Sequence, residues 1–412
     1  MSGDKMDEGL GIDGELEKPS SETKTETKPT GLFNPYLMSR KAIWSIQFFN
    51  ETPVFPFLTC ALLAALAGIY VLEVVYALET HKTGFLLMDT QSLLAMGAIS
   101  RVLILKGEWY RLFTGILLHG GFNHILYNSY ALFISGLILE RLVSRTWVFI
   151  IFSLGGLCGA FCSFQFGTQF STSVGASGAI MALMAAGYVL SFKIMDILDR
   201  NRVQAYLLSS LVVNVLPVIS SHTSGPVDYY AHFGGAVGGF VIGFALFKSW
   251  KGNERFVEFQ VGSYFMASVF FALFAYSVCM VVQNYGSKSQ ALSKFIPDAQ
   301  LPRTDAQWDA QIATLLAQYP DDPRPYFIKG GQLEKVGQYV AAEKELRLAL
   351  VKVDDGTGLY SRLDDPIRYF LITVLVKENH RDEALQLAHD LCSNSNTDPK
   401  YIRSLKQLNL CY

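Results

Sequence analysis

Several polar side chains with catalytic potential sit inside stretches otherwise too apolar to hold them. Ser177 lies in "STSVGASGAIMALMAAGY", part of the run Thr146–Phe192, 47 residues without one Asp, Glu, Lys or Arg. His119, His124 and Asn128 share the uncharged run Leu112–Leu139, and His232 lies in Tyr229–Phe247. A serine hydroxyl becomes a nucleophile when a base takes its proton, and histidine is the usual base. The tetrahedral intermediate that follows needs donors aimed at its oxyanion. His124 and Asn128 are four residues apart, so one helix face presents both. Gly175 and Gly178, poor helix formers, flank Ala176-Ser177 and clear space around the hydroxyl. Two alternatives stand beside this reading. Small residues and a serine bonded back to its own helix also serve packing, and histidines also act as hydrogen-bond glue between helices. A metal site fits poorly, since "HGGFNH" lacks the His-Glu-x-x-His pattern and has no carboxylate beside it. No metal or other cofactor is expected.

The elements that must position these groups are membrane helices. Half of the residues are hydrophobic and 17% are charged, far more apolar than a soluble chain of 412 residues requires. Uncharged runs recur at Thr52–Leu72, Leu112–Leu139, Thr146–Phe192, Val203–Val227, Tyr229–Phe247 and Phe259–Ser287. One span takes about 20 residues, so the longest run holds two and the chain holds seven. The first 30 residues are polar and show no signal-peptide core. A net charge of −2 gives no reason to expect nucleic acid.

Charges between the runs orient the spans. Arg141, Arg145, Lys193, Arg200, Arg202, Lys248, Lys251 and Arg255 mark the connections near 140–145, 193–202 and 248–255 as cytoplasmic. The alternate connections near 167–174 and 221–230 carry no Lys or Arg. Spans two, four and six then run from outside to inside, with the N-terminus cytoplasmic. His124, Ser177 and His232 each lie 15 residues before the inner end of their runs. At 1.5 Å per residue that is roughly 22 Å above the cytoplasmic edge of a ~30 Å core. Three helices therefore bring two histidines and a serine to one level, near the outer surface.

Outside the spans, residues 1–30 read as disordered, and 31–51, with Tyr36, Trp44, Phe48 and Phe49 around Arg40 and Lys41, as a segment on the membrane surface. The long connection near 79–111 is apolar enough to be structured and partly sunk in the interface. Beyond 288 the chain turns polar. Tyr326, Gly330, Leu333, Gly337, Tyr339, Ala342, Leu346 and Ala349 fall at the spacing of a tetratricopeptide helix pair, with a looser copy over Tyr369–Leu391. The bland alternative is a generic amphipathic hairpin. Cys60, Cys158, Cys162 and Cys279 lie in apolar spans as small hydrophobes. Cys392 and Cys411 lie in the polar region and can pair in an oxidising compartment.

"GASG" at 175–178, "HGGFNHILYN" at 119–128 and "AHFGGAVGG" at 231–239 resemble the three signature segments of the rhomboid intramembrane serine proteases, in that family's order. "GEWYRL" at 107–112 resembles its first-loop segment, and Gly136–Glu140 the small-x-x-x-Glu end of its second span. The resemblance covers roughly residues 55–250. It implies Ser177 as nucleophile and His232 as general base. His124 and Asn128 would be oxyanion donors, joined by the Ser177 N–H, and His119 an accessory polar group of the water-accessible cavity. Gly235 and Gly239 would let span six approach span four, and Trp109 and Arg111 would be structural. Met181 departs from the pattern, standing where many relatives have a tyrosine against the histidine. Asp228, four residues before His232, reads as a cap at the aqueous mouth, since the family works as a dyad.

The expected architecture is all-α: a polytopic bundle over 53–250, a seventh helix within 251–287 and a soluble helical-repeat domain over 288–412, behind a tail of residues 1–52. The expected activity is hydrolysis of a peptide bond in or beside the transmembrane helix of a single-span substrate, in the lipid bilayer. A protein partner on the repeat domain is the further expectation. The expected setting is the inner membrane of a bacterium, with the C-terminal domain outside the cytoplasm. A non-catalytic membrane adaptor is the rival class, and a transporter is disfavoured by the lack of a charged residue at mid-membrane.

Overall fold

The computed structural model describes residues 55–80, 86–167, 172–194, 197–218, 227–250, 260–297, 300–353, 359–360, 363–394 and 397–411. The tail, the surface segment expected over 31–51 and the connection holding Lys251 and Arg255 lie outside them.

The first helix, α1 (Phe57–Thr80), is apolar along its length, and its first turn is fastened from another helix. The Glu140 carboxylate accepts from Thr59 N at 2.7 Å and from the Thr59 hydroxyl at 2.6 Å. It thus satisfies an N–H that a helix start leaves without an intrahelical partner, at the positive end of the helix dipole. The helix continues eight residues past Leu72, where the uncharged run stops, and so carries Glu73 and Tyr76 inward, 1% and 4% exposed.

The connection that follows is built, as its apolar content suggested. It contains α2 (Thr90–Ala95), strand β1 (Ile99–Ser100), α3 (Arg101–Leu105) and α4 (Arg111–Thr114). Asp89 caps α2, its side chain accepting from Ser92 N at 2.8 Å. Arg111, 1% exposed, holds the loop together: its guanidinium donates to Glu108 at 2.7 Å, to Leu94 O at 2.8 Å and to Ala98 O at 3.0 Å.

Next come α5 (Phe122–Leu142), α6 (Arg145–Phe166), strand β2 (Thr172–Ser173), α7 (Ser177–Ser191), α8 (Ile197–Val215), α9 (Tyr229–Ser249) and α10 (Gln260–Leu292). Among the described residues four helices, α1, α6, α9 and α10, are long and apolar enough to cross a membrane, and α7 is a shorter apolar helix of 15 residues. The chain is an all-α polytopic membrane protein. Val71, Leu72 and Val75 on α1, and Val261, Phe265, Phe271 and Val282 on α10, face outward. In water such faces would be a liability; in lipid they are the solvent-facing surface. Lipid tails are as apolar as leucine, so close packing carries helix association here. Within the membrane bundle, α6, α7 and α9 are the helices most engaged with one another. A Cβ on Gly235 would lie 2.0 Å from Gly178 O, and one on Gly239 would lie 2.1 Å from Ala182 O. No other residue allows backbones this near. The two strands pair antiparallel, Ile99 with Ser173 and Ser100 with Thr172, so the first loop is laced to the segment leading into α7.

At 33 residues α10 is about 50 Å long and outruns a bilayer core. Its far end meets the first loop. Lys288 pairs with Glu108, and the Tyr76 hydroxyl donates to Ser289 at 3.2 Å. Tyr76, Leu94, Ala95 and Leu103 form one buried cluster with Leu292, Phe295 and Tyr360. Burial opposes ionisation of Glu108, but Arg111, Lys288 and Tyr110 outweigh it and hold the carboxyl below its ordinary range.

The C-terminal region continues the contact. It comprises α11 (Asp305–Gln318), α12 (Pro323–Lys335), α13 (Tyr339–Val353), α14 (Asp364–Lys377), α15 (Arg381–Ser393) and α16 (Pro399–Gln407). Asp322, 0% exposed, accepts from Ile296 N at 2.9 Å and from the Tyr360 hydroxyl at 3.1 Å. Gln91 of the first loop donates to Ile296 O at 3.2 Å. Ala342, Leu346 and Ala349 are fully buried with Leu371, Leu375, Ala384 and Ala388 in one helical core. Gly330 lets α12 lie against Leu346. Cys392 and Cys411 are disulfide-bonded, with Cα atoms 6.1 Å apart.

Candidate active site

Ser177 is the first residue of α7, half-buried, and follows Gly175, whose φ of +124° an L side chain rarely adopts. The first helical bond here runs from Ile180 N to Ala176 O, at 2.9 Å. The N–H groups of Ser177, Gly178 and Ala179 are therefore not used by the helix ladder and stand at its positive end. Gly178 packs between Ala231 and Gly235: a Cβ on it would meet Ala231 O at 3.0 Å, and the Cβ of a residue at 235 would meet its own carbonyl. His232 lies between those two positions on α9. The nucleophile candidate and the base candidate thus sit on one close helix crossing.

Two backbone contacts set the histidine tautomers. His232 Nδ1 lies 3.0 Å from Asn214 O at the end of α8. A carbonyl only accepts, so Nδ1 carries the proton and Nε2 keeps its lone pair. At His124 the polarity is reversed. Gly120 N donates to His124 Nδ1 at 3.3 Å, so the proton of the neutral ring is on Nε2. A Cβ on Gly175 would stand 2.7 Å from that Nε2 and 3.5 Å from Asn128 Nδ2, so both side chains border the turn before Ser177. Asn128 is buried, and its Nδ2 has no hydrogen-bond partner among the described residues. One histidine offers an acceptor and the other a donor.

His119 is 0% exposed and stands edge-on to His124, ring centroids 5.2 Å apart. Neither ring nitrogen has a partner among the described residues. Its backbone N–H donates to the Glu73 carboxylate at 2.9 Å. Glu73 was not among the expected site residues because the uncharged run ends one residue before it; a carboxylate about two helical turns inside the end of α1 was the available signal. Tyr229 was also missed. It stands three residues before His232, ring centroids 6.0 Å apart and nearly perpendicular, so an aromatic edge on the imidazole comes from α9 itself. Met181, at the position noted for its departure, is buried one turn after Ser177.

Trp109 is exposed and stacks edge-on with Phe164 at 5.7 Å. Asp228 caps α9, accepting from Ala231 N at 3.0 Å. Among the described residues, ligand-type side chains converge at Glu343, Glu378 and His380, far along the chain from Ser177, and Arg347 already pairs with Glu343 at 2.6 Å.

The Rhomboid domain family matches residues 106–249, which hold His119, His124, Asn128, Ser177, Asp228 and His232 but not Glu73. The rhomboid protease GluP of Bacillus subtilis (strain 168) is 32% identical over 163 residues, 38% of this chain and 30% of that protein. YdcA of the same strain, also named among the rhomboid proteases, is 31% identical over 143 residues, 34% of this chain and 69% of that protein. The rhomboid protease AarA of Providencia stuartii is 28% identical over 235 residues, 52% of this chain and 78% of that protein. The chain thus spans under a third of GluP's length but most of YdcA and AarA. With the Ser177, His232 and His119–Asn128 segments all inside the matched region, the chain belongs to the rhomboid family.

Proposed function

We propose that this protein is a serine endopeptidase that cleaves peptide bonds in or beside the transmembrane helices of single-span membrane proteins. The observation that carries the reading is the opposed pair of tautomers around Ser177. His232 Nε2, held as an acceptor by the Nδ1–H bond to Asn214 O, takes the serine proton as the oxygen attacks the scissile carbonyl. His124 Nε2–H, the Asn128 amide and the Ser177 N–H receive the oxyanion. The imidazolium then returns its proton to the leaving amine, and water repeats the sequence to free the acyl group. A helical substrate hides its carbonyl, so substrates with helix-weakening residues near the cut are preferred.

The C-terminal domain, read as a tetratricopeptide-like repeat, lies on the same side of the membrane as the mouth above Ser177. Its contacts with the first loop and the Cys392–Cys411 bond support an extracytoplasmic position, where it holds the soluble part of a substrate or a partner. An adaptor role without catalysis has no observation in its favour.

Purified full-length protein incubated with a model single-span substrate, with products read by mass spectrometry, tests the activity. Ser177→Ala and His232→Ala should each abolish cleavage with little change in thermal unfolding, and the double variant should be no worse than either. Cleavage by Ser177→Ala at the wild-type rate would refute the mechanism.

A further inference from the structure

We propose that Asp228 is a positioning residue that locks the lead-in to Ser177 and the helix bearing His232 into one register. The inference rests on the reading of Ser177 and His232 as the reacting pair. Asp228 makes three bonds into three elements. Its Oδ1 accepts from Ala231 N at 3.0 Å and caps α9 one turn before His232. Its Oδ2 accepts from the Ser173 hydroxyl at 2.5 Å, on β2, and from the Ser163 hydroxyl near the end of α6.

Two features separate this from an ordinary cap. A cap needs one oxygen, whereas the second oxygen here is devoted to cross-ties in a buried setting: Ser163 is 4% exposed and Ser173 8%. Hydrogen bonds to an ionised carboxylate are roughly twice as strong as neutral ones. A serine near a helix end also has a carbonyl one turn back for a partner; Ser163 bonds across to Asp228 instead. The ties fall where geometry matters most. Ser173 is four residues before Ser177, on a strand whose other edge is the first loop, and Asp228 is four residues before His232. Asp228 does not face the imidazole as a triad acid would, because Nδ1 of His232 bonds Asn214 O. It acts through the backbone.

The test uses full-length protein in micelles, measuring kcat and KM on a model single-span substrate and the rate of fluorophosphonate labelling at Ser177. Ser163→Ala/Ser173→Ala keeps the cap and removes both ties. It should lower kcat and labelling by about 10²-fold, the effect of a misplacement near 1 Å, with KM within about twofold. Ser173→Thr, which keeps a hydroxyl and suits a strand, should stay within about twofold of wild type. Adding Asp228→Ala to the double variant should cost less than it does in wild type, as groups acting as a unit are non-additive. Ser173→Ala alone serves as the milder variant if the double unfolds early. Wild-type kcat in the double variant, or an equal loss in Ser173→Thr, would overturn the clamp. A wild-type protein that neither cleaves nor labels at Ser177 would overturn the reading beneath it, and the clamp with it.

Discussion

Gly235→Ala puts the α7–α9 crossing to its most direct test. The added methyl would be built 2.0 Å from the Gly178 carbonyl oxygen, 2.7 Å from its carbon and 3.0 Å from its Cα. All three are backbone atoms of a helix, so no rotamer change relieves the clash. The two helices must separate by about 1 Å or more before the contact is tolerable, at an overpacking cost of about 1–3 kcal/mol. The separation falls on the proposed nucleophile and base, since Gly178 adjoins Ser177 and Gly235 lies one turn after His232. A displacement of that size at a reacting pair costs about 10²-fold in rate. The expected result is a kcat and a Ser177 labelling rate down by about two orders of magnitude, with substrate binding retained. Gly262→Ala and Gly286→Ala are the controls, as a Cβ at either meets nothing within 4 Å. Both should leave activity alone and raise stability by up to about 1 kcal/mol through helix propensity. Wild-type labelling by Gly235→Ala, with an unchanged melting temperature, would refute the claim that this crossing sets the Ser177–His232 geometry.

His124→Ala or Asn128→Ala should each lower turnover by about 10²-fold with little change in KM, the loss expected for one oxyanion donor; kinetics in micelles read this, and a fall in melting temperature with KM and kcat changing together would favour the helix-glue role. The Glu108–Lys288 tie should be acid-sensitive. A carboxyl held below its ordinary range stabilises the fold above the unfolded-state value and loses that contribution as pH falls through the folded value. Limited proteolysis of the C-terminal domain should therefore quicken on acidification below the usual carboxylate range, and Glu108→Gln should flatten that dependence. Protease added to intact cells should cut the C-terminal domain, and thiol labelling of Cys392 and Cys411 should require prior reduction; protection until the membrane is broken would place the domain in the cytoplasm.

The sequence and the structure divide along a physical line. Run lengths and the fixed rise of a helix led to the expectation that His124, Ser177 and His232 share one depth, because that count needs only a charged edge to start from; the structure adds that Ser177 and His232 lie on one helix crossing and that His124 borders the turn before Ser177. Spacing also placed His124 and Asn128 on one face, and the order of the glycines on 231–239 announced a close crossing. The end of α1 was misjudged by eight residues, since a buried carboxylate such as Glu73 reads as an edge until its partner, the His119 N–H, is known.

The amino-acid sequence by itself determined that the chain is an all-α membrane protein and which polar groups could meet. Tertiary structure alone decided how they are held. The tautomers of His232 and His124 come from Asn214 O and the Gly120 N–H, backbone groups common to all residues but for the N–H that proline lacks, so no side-chain pattern encodes them. The second oxygen of Asp228 finds Ser163 and Ser173, 65 and 55 residues away, through packing that no local period records. The same holds where Tyr76, Leu103, Leu292 and Tyr360 close into one cluster. Depth in a bilayer is a one-dimensional property and can be read along a chain, whereas proton placement and cross-chain ties require the helices to have met.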